Sequence, residues 1–228
     1  MKILIAIIST HNSIYTMLNN TIRNTWGNTQ EVDIKIIYYY GNTGIELPSL
    51  PLLLDDKLYC NHIESLENIG YKTIDAFTYF LNNFEFDYIF RTNESSFIII
   101  EKMIKYLQDK PRFNYASGTV LNQSHIPFTF LAGSGYILSK DIVQLIVDFK
   151  HKWNHNYIDD VALGLFLNEH NIPMIDNNAK QDFFNPSDIP DIKENIVFNN
   201  KWHFRCKNFS NRNIDVLNML KLHDIFSK

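Results

Sequence analysis

Two adjacent acids, Asp159-Asp160, open the apolar run Val161-Ala162-Leu163-Gly164, which reads as the start of a helix. A carboxylate fixed at such a point can take a proton from a hydroxyl. Acids in a first helical turn also complement the macrodipole with no chemistry at all. A second polar group, Asn93-Glu94-Ser95, ends the aromatic run Asp87-Tyr88-Ile89-Phe90 and precedes a helical pattern from Ile98. Ligands of open α/β sheets sit at the carboxyl ends of strands. The plainer reading is a loop in which Asn93 or Ser95 caps the next helix. Arg23, beside Trp26, can grip a phosphate with its guanidinium or be a solvated face charge. Lys72, inside a helical pattern, can balance anionic charge or face solvent. Gly133-Ser134-Gly135 permits close backbone approach, as a tight turn between strands also would. In Lys201-Trp202-His203-Phe204-Arg205-Cys206-Lys207, an extended chain puts His203, Arg205 and Lys207 on one side.

The elements that must position these groups alternate. Residues 2–9 read as a central strand buried on both faces. A helix follows over 14–25, where Ile14, Met17, Leu18 and Ile22 recur at helical spacing. Residues 32–40 read as a strand and 41–57, with Pro48 and Pro51, as irregular. A helix over 67–83, the strand 87–91 and a helix over 98–109 come next. Short strands are expected at 113–120 and 136–138. Ser139 caps a helix reaching about Lys152, and another runs from Asp159 to about His170. After Pro173 the chain reads as irregular, then as a short strand near 196–204 and a helix over 213–226. This predicts an α/β fold, a single Rossmann-like domain over residues 1–228 with a mostly parallel sheet. It would divide into halves at 1–120 and 121–228.

Composition narrows the classes. Of 228 residues, 45% are hydrophobic, enough to bury a sizeable core. The net charge is −4 with both signs well mixed, so nothing marks a nucleic-acid partner. Cys60 and Cys206 lie far apart and read as two reduced thiols. The apolar N-terminal run is too short to span a bilayer and no transmembrane segment is read, so a cytoplasmic site is the expectation. A Golgi-like lumenal or virus-associated site is the alternative. No G-x-G-x-x-G or phosphate-loop motif is present, which disfavours unrelated nucleotide chemistry.

Five patterns occur in a fixed order over residues 2–170. They are Ile22-Arg23-Asn24-Thr25-Trp26; Glu64-Ser65-Leu66-Glu67-Asn68-Ile69-Gly70-Tyr71-Lys72-Thr73; the strand ending at Asn93-Glu94-Ser95; Gly133-Ser134-Gly135-Tyr136; and Asp159-Asp160-Val161-Ala162-Leu163-Gly164. Together they resemble the β-1,3-galactosyltransferase and Fringe-related superfamily, glycosyltransferase family 31. The resemblance implies a GT-A fold and an inverting hexosyltransferase. Such an enzyme moves a sugar from a nucleotide donor, expected to be a UDP sugar, to a hydroxyl of a glycan, glycoprotein or glycolipid. It places the general base on Asp160, with Asp159, where the family has Glu, orienting the site. Arg23, Lys72, Asn93, Glu94, Ser95, Gly133, Ser134, Gly135 and Arg205 fall at the donor. The resemblance also implies a nucleotide-sugar-binding half over 1–120 and an acceptor-binding and catalytic half over 121–228.

The match departs from the family at its acid-x-acid motif, which reads Asn93-Glu94-Ser95. Two carboxylates there normally hold Mn²⁺ against the diphosphate, and an amide and a hydroxyl are poorer ligands. Asn19 also stands where the family has an Arg. Glu94 and His203 are the remaining metal-ligand candidates. Three outcomes stay open: a metal-independent enzyme using Arg and Lys, weak metal binding, or a catalytically inactive relative that binds a nucleotide sugar or glycan.

Overall fold

The computed structural model describes residues 1–44, 51–177, 200–227 and the backbone of 181–183. The chain forms two compact units, each gathered from three separate segments. The first comprises Met1–His11, Val32–Asn93 and Pro111–Asp176; the second comprises Asn12–Glu31, Glu94–Lys110 and Asn177–Lys228.

The first unit is built on β1 (Ile3–Ile8), whose six apolar residues are all buried. The buried backbone of such a strand requires a hydrogen-bonding partner on each edge. β2 (Ile34–Asn42) and β5 (Tyr88–Asn93) supply them, both parallel. β4 (Lys57–Ile63) continues parallel beyond β2, and β3 (Leu52–Leu54) closes that edge antiparallel. On the other side β8 (Phe130–Ser139) and β7 (Ala116–Leu121) run antiparallel, and β9 (Met174–Asp176) lies parallel to β7. Among the described residues this sheet has eight strands, in the order β3-β4-β2-β1-β5-β8-β7-β9. The α/β class and the mostly parallel central sheet are as expected.

Three helices cover the sheet: α2 (Ile69–Asn83), α4 (Lys140–Asp148) and α5 (Asp159–Glu169). Phe77 and Phe80 of α2, Ile142 and Ile146 of α4, and Leu163 and Phe166 of α5 share one core with Leu4, Ile37, Ile89 and Leu138 of the strands. Each such side chain contributes about 1.5–3 kcal/mol when taken from water.

Several expectations change here. β3 forms inside 41–57, where only irregular chain was expected; residues 45–50 lie outside the described residues. β5 extends to Asn93, so that residue belongs to the strand and not to a loop. Phe130–Ser139 is one strand, so Gly133-Ser134-Gly135 makes no turn. Pairing on both edges of β8 overrides the weak strand preference of its glycines. Ser139 is the N-cap residue of α4, although its Oγ accepts from the Tyr115 N–H at 3.0 Å and makes no capping hydrogen bond. α4 stops at Asp148, and a 3₁₀ turn at Lys150–Lys152 completes the expected span. β9 lies within the segment expected to be irregular.

The second unit contains α1 (Ser13–Arg23), α3 (Ile100–Gln108) and α6 (Asn213–Phe226). Asn12 caps α1, its Oδ1 accepting from the Ile14 N–H at 3.1 Å. A three-stranded sheet runs β10 (Gln181–Phe183), β11 (His203–Arg205), β6 (Ser96–Ile98). β6 takes Ile98, which was expected to begin α3. Of the strand expected near 196–204, residues 196–199 lie outside the described residues, and of the remainder His203 and Phe204 belong to β11. Phe97, Phe204 and Phe226 pack together at ring separations of 5.7–6.4 Å. No helix among the described residues is long and apolar enough to cross a membrane.

Candidate active site

A charge at the end of a buried strand must be paired. Arg91, on β5, is 2% exposed. Its Nη2 is ion-paired to Asp159 Oδ2, its Nη1 donates to the Gly133 carbonyl at 2.9 Å and its Nε donates to the Tyr39 hydroxyl at 3.2 Å. Tyr39 OH also meets Thr73 Oγ1 at 3.2 Å, and burial pushes its phenol up to about 12. Arg91 therefore links the lysine-threonine segment of α2 to the acid pair of α5. Sequence reading missed it, although an arginine in an otherwise apolar strand was the available signal.

The two acids occupy different settings. Asp159 is 4% exposed and committed to Arg91. Asp160 is only half-buried. Its Oδ2 accepts from the Gly133 N–H at 2.9 Å, and its Oδ1 accepts from the Val161 N–H at 2.9 Å. Burial, and then the neighbouring Asp159 charge, raise its carboxyl above the ordinary aspartate range. Gly133 is required: a Cβ there would lie 2.7 Å from Asp160 Oδ2. The glycine lets the carboxylate rest directly on the β8 backbone. Thr92 Oγ1 donates to the Ser134 carbonyl at 2.8 Å, and Asn93 Nδ2 donates to the Gly133 carbonyl at 3.1 Å.

Lys72 is neither a solvated lysine nor an open cation. It is 3% exposed, and its ammonium donates to the Ser9 carbonyl at 2.9 Å and to Glu64 Oε1 at 2.7 Å. Glu64 Oε2 accepts from the Gly41 N–H at 2.6 Å. Lys72 and Glu64 thus tie together the ends of β1, β2 and β4. Elsewhere in this unit a cavity of about 490 Å³ is lined by His62, Tyr71, Asp75, Trp153 and His155, among others, and by none of the expected site residues.

The second unit holds the remaining candidates. Trp26 Nε1 donates to the Ser96 carbonyl at 2.9 Å, fixing the end of α1 to β6, and Arg23 is half-buried with its Nη1 3.4 Å from Asn20 Oδ1. Glu94 and Ser95 are buried. Ser95 Oγ donates to Asp215 Oδ2 at 2.9 Å and accepts from Arg212 Nη2 at 2.5 Å. Arg212 Nε donates to Asp215 Oδ2 at 2.6 Å, and the Asn208 N–H donates to Asp215 Oδ1 at 2.6 Å. Arg212 and Asp215 went unnoticed in the sequence, since nothing local connects them to Ser95 120 residues away.

These residues do not fit a Mn²⁺ ion. Ser95 Oγ and both Asp215 oxygens are committed, with a guanidinium beside them. His203 is buried, its Nε2 lies 2.9 Å from Ser96 Oγ, and burial lowers its pKa to about 3. Among the described residues no three His, Cys, Asp or Glu side chains are grouped to hold a metal. Among the described residues, the metal roles expected for Glu94 and His203 find no grouped donor set. Cys60 and Cys206 are free, buried thiols.

Comparison with known proteins bears on this geometry. A family model described as Galactosyltransferase matches residues 123–178, which include Gly133, Asp159 and Asp160. A UDP-GalNAc:beta-1,3-N-acetylgalactosaminyltransferase 2 of Xenopus laevis is 22% identical over a stretch covering 49% of this chain and 26% of that protein. The match thus spans about a quarter of the curated relative's length. Among solved structures, a glycosyltransferase involved in the glycosylation of the major capsid of PBCV-1 aligns with a TM-score of 0.59 at 9% identity, covering 97% of this chain and 100% of that one. The α/β architecture is therefore one that a glycosyltransferase adopts, as the GT-A expectation required.

Proposed function

For a chain of this β-1,3-galactosyltransferase-like family, and of glycosyltransferase class, we propose inverting transfer of a sugar from a UDP donor to an acceptor hydroxyl, with Asp160 as general base. The observation that carries the reading is the division between the acids. Asp159 is spent on Arg91, while Asp160 is half-exposed and held by the Gly133 N–H with a raised pKa. A base must be both reachable and fixed, and a pKa moved towards neutrality improves proton transfer.

In the step proposed, the Asp160 carboxylate takes the proton of the acceptor hydroxyl as its oxygen forms a bond to the anomeric carbon. The bond from that carbon to the UDP oxygen breaks, and its electron pair leaves with UDP. The products are the glycoside, UDP and a proton returned to solvent from Asp160. Attack opposite the leaving group inverts the anomeric centre. Arg91 and Asp159 keep the helix end in place and take no part in bond making.

The test incubates the protein with a panel of UDP sugars and simple glycoside acceptors. Free UDP and transferred sugar are quantified together, and the anomeric configuration of the product is read by NMR. A β-linked product from an α-linked donor, with equal UDP released, is expected. Retained configuration would overturn the inverting mechanism. The substituted acid-x-acid motif favours a second reading, a module that binds nucleotide sugar or glycan without turnover. Donor binding with neither transfer nor hydrolysis would establish it.

A further inference from the structure

We infer that the diphosphate of the nucleotide donor is received by a cluster of Arg205, Lys207 and Arg212, which takes the place of a divalent cation. The inference depends on the donor assignment proposed above.

Arg212 is positioned on three sides. Its Nε is held by Asp215, its Nη2 by Ser95, and its Nη1 donates to the Tyr15 hydroxyl at 3.2 Å, with the guanidinium 5.1 Å from the Tyr15 ring centroid. A guanidinium carries five N–H donors, so among the described residues this one has two left over while its orientation is fixed. Arg205 has a buried Nη1 with no hydrogen-bond partner among the described residues. A buried donor without an acceptor is costly, and an arriving phosphate oxygen would satisfy it.

Charge points the same way. Among the described residues the cations Arg205, Lys207 and Arg212 act on one another, and the carboxylates of Glu94 and Asp215 oppose them. Burial, then the like charge of Arg212, lowers Arg205 to about 10, and burial with both arginines lowers Lys207. Cations gathered in partly desolvated surroundings are relieved by an anion, and planar guanidinium forks suit phosphate oxygens. Ser95, where the resemblance expects a metal-binding acid, here helps to orient an arginine. In this arrangement fixed positive charge, in place of a metal ion, stabilises the departing diphosphate.

The test measures binding of UDP, uridine and inorganic pyrophosphate to the full chain by calorimetry, in EDTA and, for UDP and uridine, in Mn²⁺. UDP affinity is expected to agree within about threefold between the two conditions, with pyrophosphate binding in EDTA. Lys207→Ala and Arg205→Lys should each weaken UDP and pyrophosphate by about tenfold while leaving uridine unchanged. Arg212→Lys should do the same. Because it also disturbs the buried Asp215, the exposed-edge variant Lys207→Ala is the one read if Arg212→Lys fails to fold. UDP binding that weakens tenfold or more in EDTA and recovers in Mn²⁺ would overturn the cluster and leave the transferase reading standing. Binding of UDP unaffected by all three variants would also overturn it. If the sugar-transfer panel is silent, chelator-resistant pyrophosphate binding that these variants weaken still supports the cluster.

Discussion

Asp159 and Asp160 are neighbours in sequence and opposites in environment, because a helix start turns successive side chains in different directions. Asp159 points to Arg91 and is sealed with it. The pair is buried, so its attraction is set against the cost of taking two charges from water. Removing one partner leaves the other uncompensated. Arg91→Met is expected to destabilise the protein by about 3–5 kcal/mol in urea unfolding, and Arg91→Met with Asp159→Leu to recover most of that loss. A cost below about 1 kcal/mol for the single variant would show that the pair is not the anchor described. The sequence made both acids visible as candidates. It could not display Arg91 as the partner of the first, because that contact spans 68 positions.

At the scale of elements, α5 approaches β8 closely enough that two glycines are needed. Gly133 admits the Asp160 carboxylate, and a Cβ on Gly164 would collide with Phe130. α1 and α3 were legible because each buries one face at a helical period, and α5, buried nearly all round, was legible through its apolar run. The three-residue strands β3, β6 and β9 were not, since three residues carry no period and a strand that short exists through its partner's hydrogen bonds. β11 places His203 against Ser96 of β6 and buries it as the neutral form. A histidine with an ordinary pKa of 6.5 that is lowered to about 3 in the fold binds fewer protons folded than unfolded. Its contribution to stability is therefore full above about 6.5 and is lost as pH falls towards about 3, at about 1.4 kcal/mol per pH unit. His203→Gln keeps a neutral hydrogen-bonding group and should flatten this dependence. Wild type and variant losing stability in parallel between neutral pH and pH about 4 would contradict the assignment.

For the molecule as a whole, the alternation of strand and helix made the α/β class readable, and the apolar N-terminal run correctly announced a strand buried on both faces. The gathering of each compact unit from three segments was hidden, since it is decided by contacts between distant parts of the chain. The same cause hid the fate of Lys72. A lysine in a helical pattern reads as solvated, whereas the fold spends it on Glu64 and the Ser9 carbonyl to join three strand ends. Lys72 thus contributes to the frame that presents the acid pair, with its charge already answered.

The most direct test of the account is the rate of sugar transfer by Asp160→Asn, with UDP affinity measured on the same preparation. The amide keeps the size of the side chain and an acceptor for the Gly133 N–H, and it cannot take the acceptor proton. Transfer should fall about 10²–10⁴-fold with UDP affinity nearly unchanged. In the wild type, activity should be lost as pH falls through a point above the ordinary aspartate range, since the raised pKa means that the carboxylate protonates early. Turnover by Asp160→Asn close to that of the wild type would contradict the role given to Asp160.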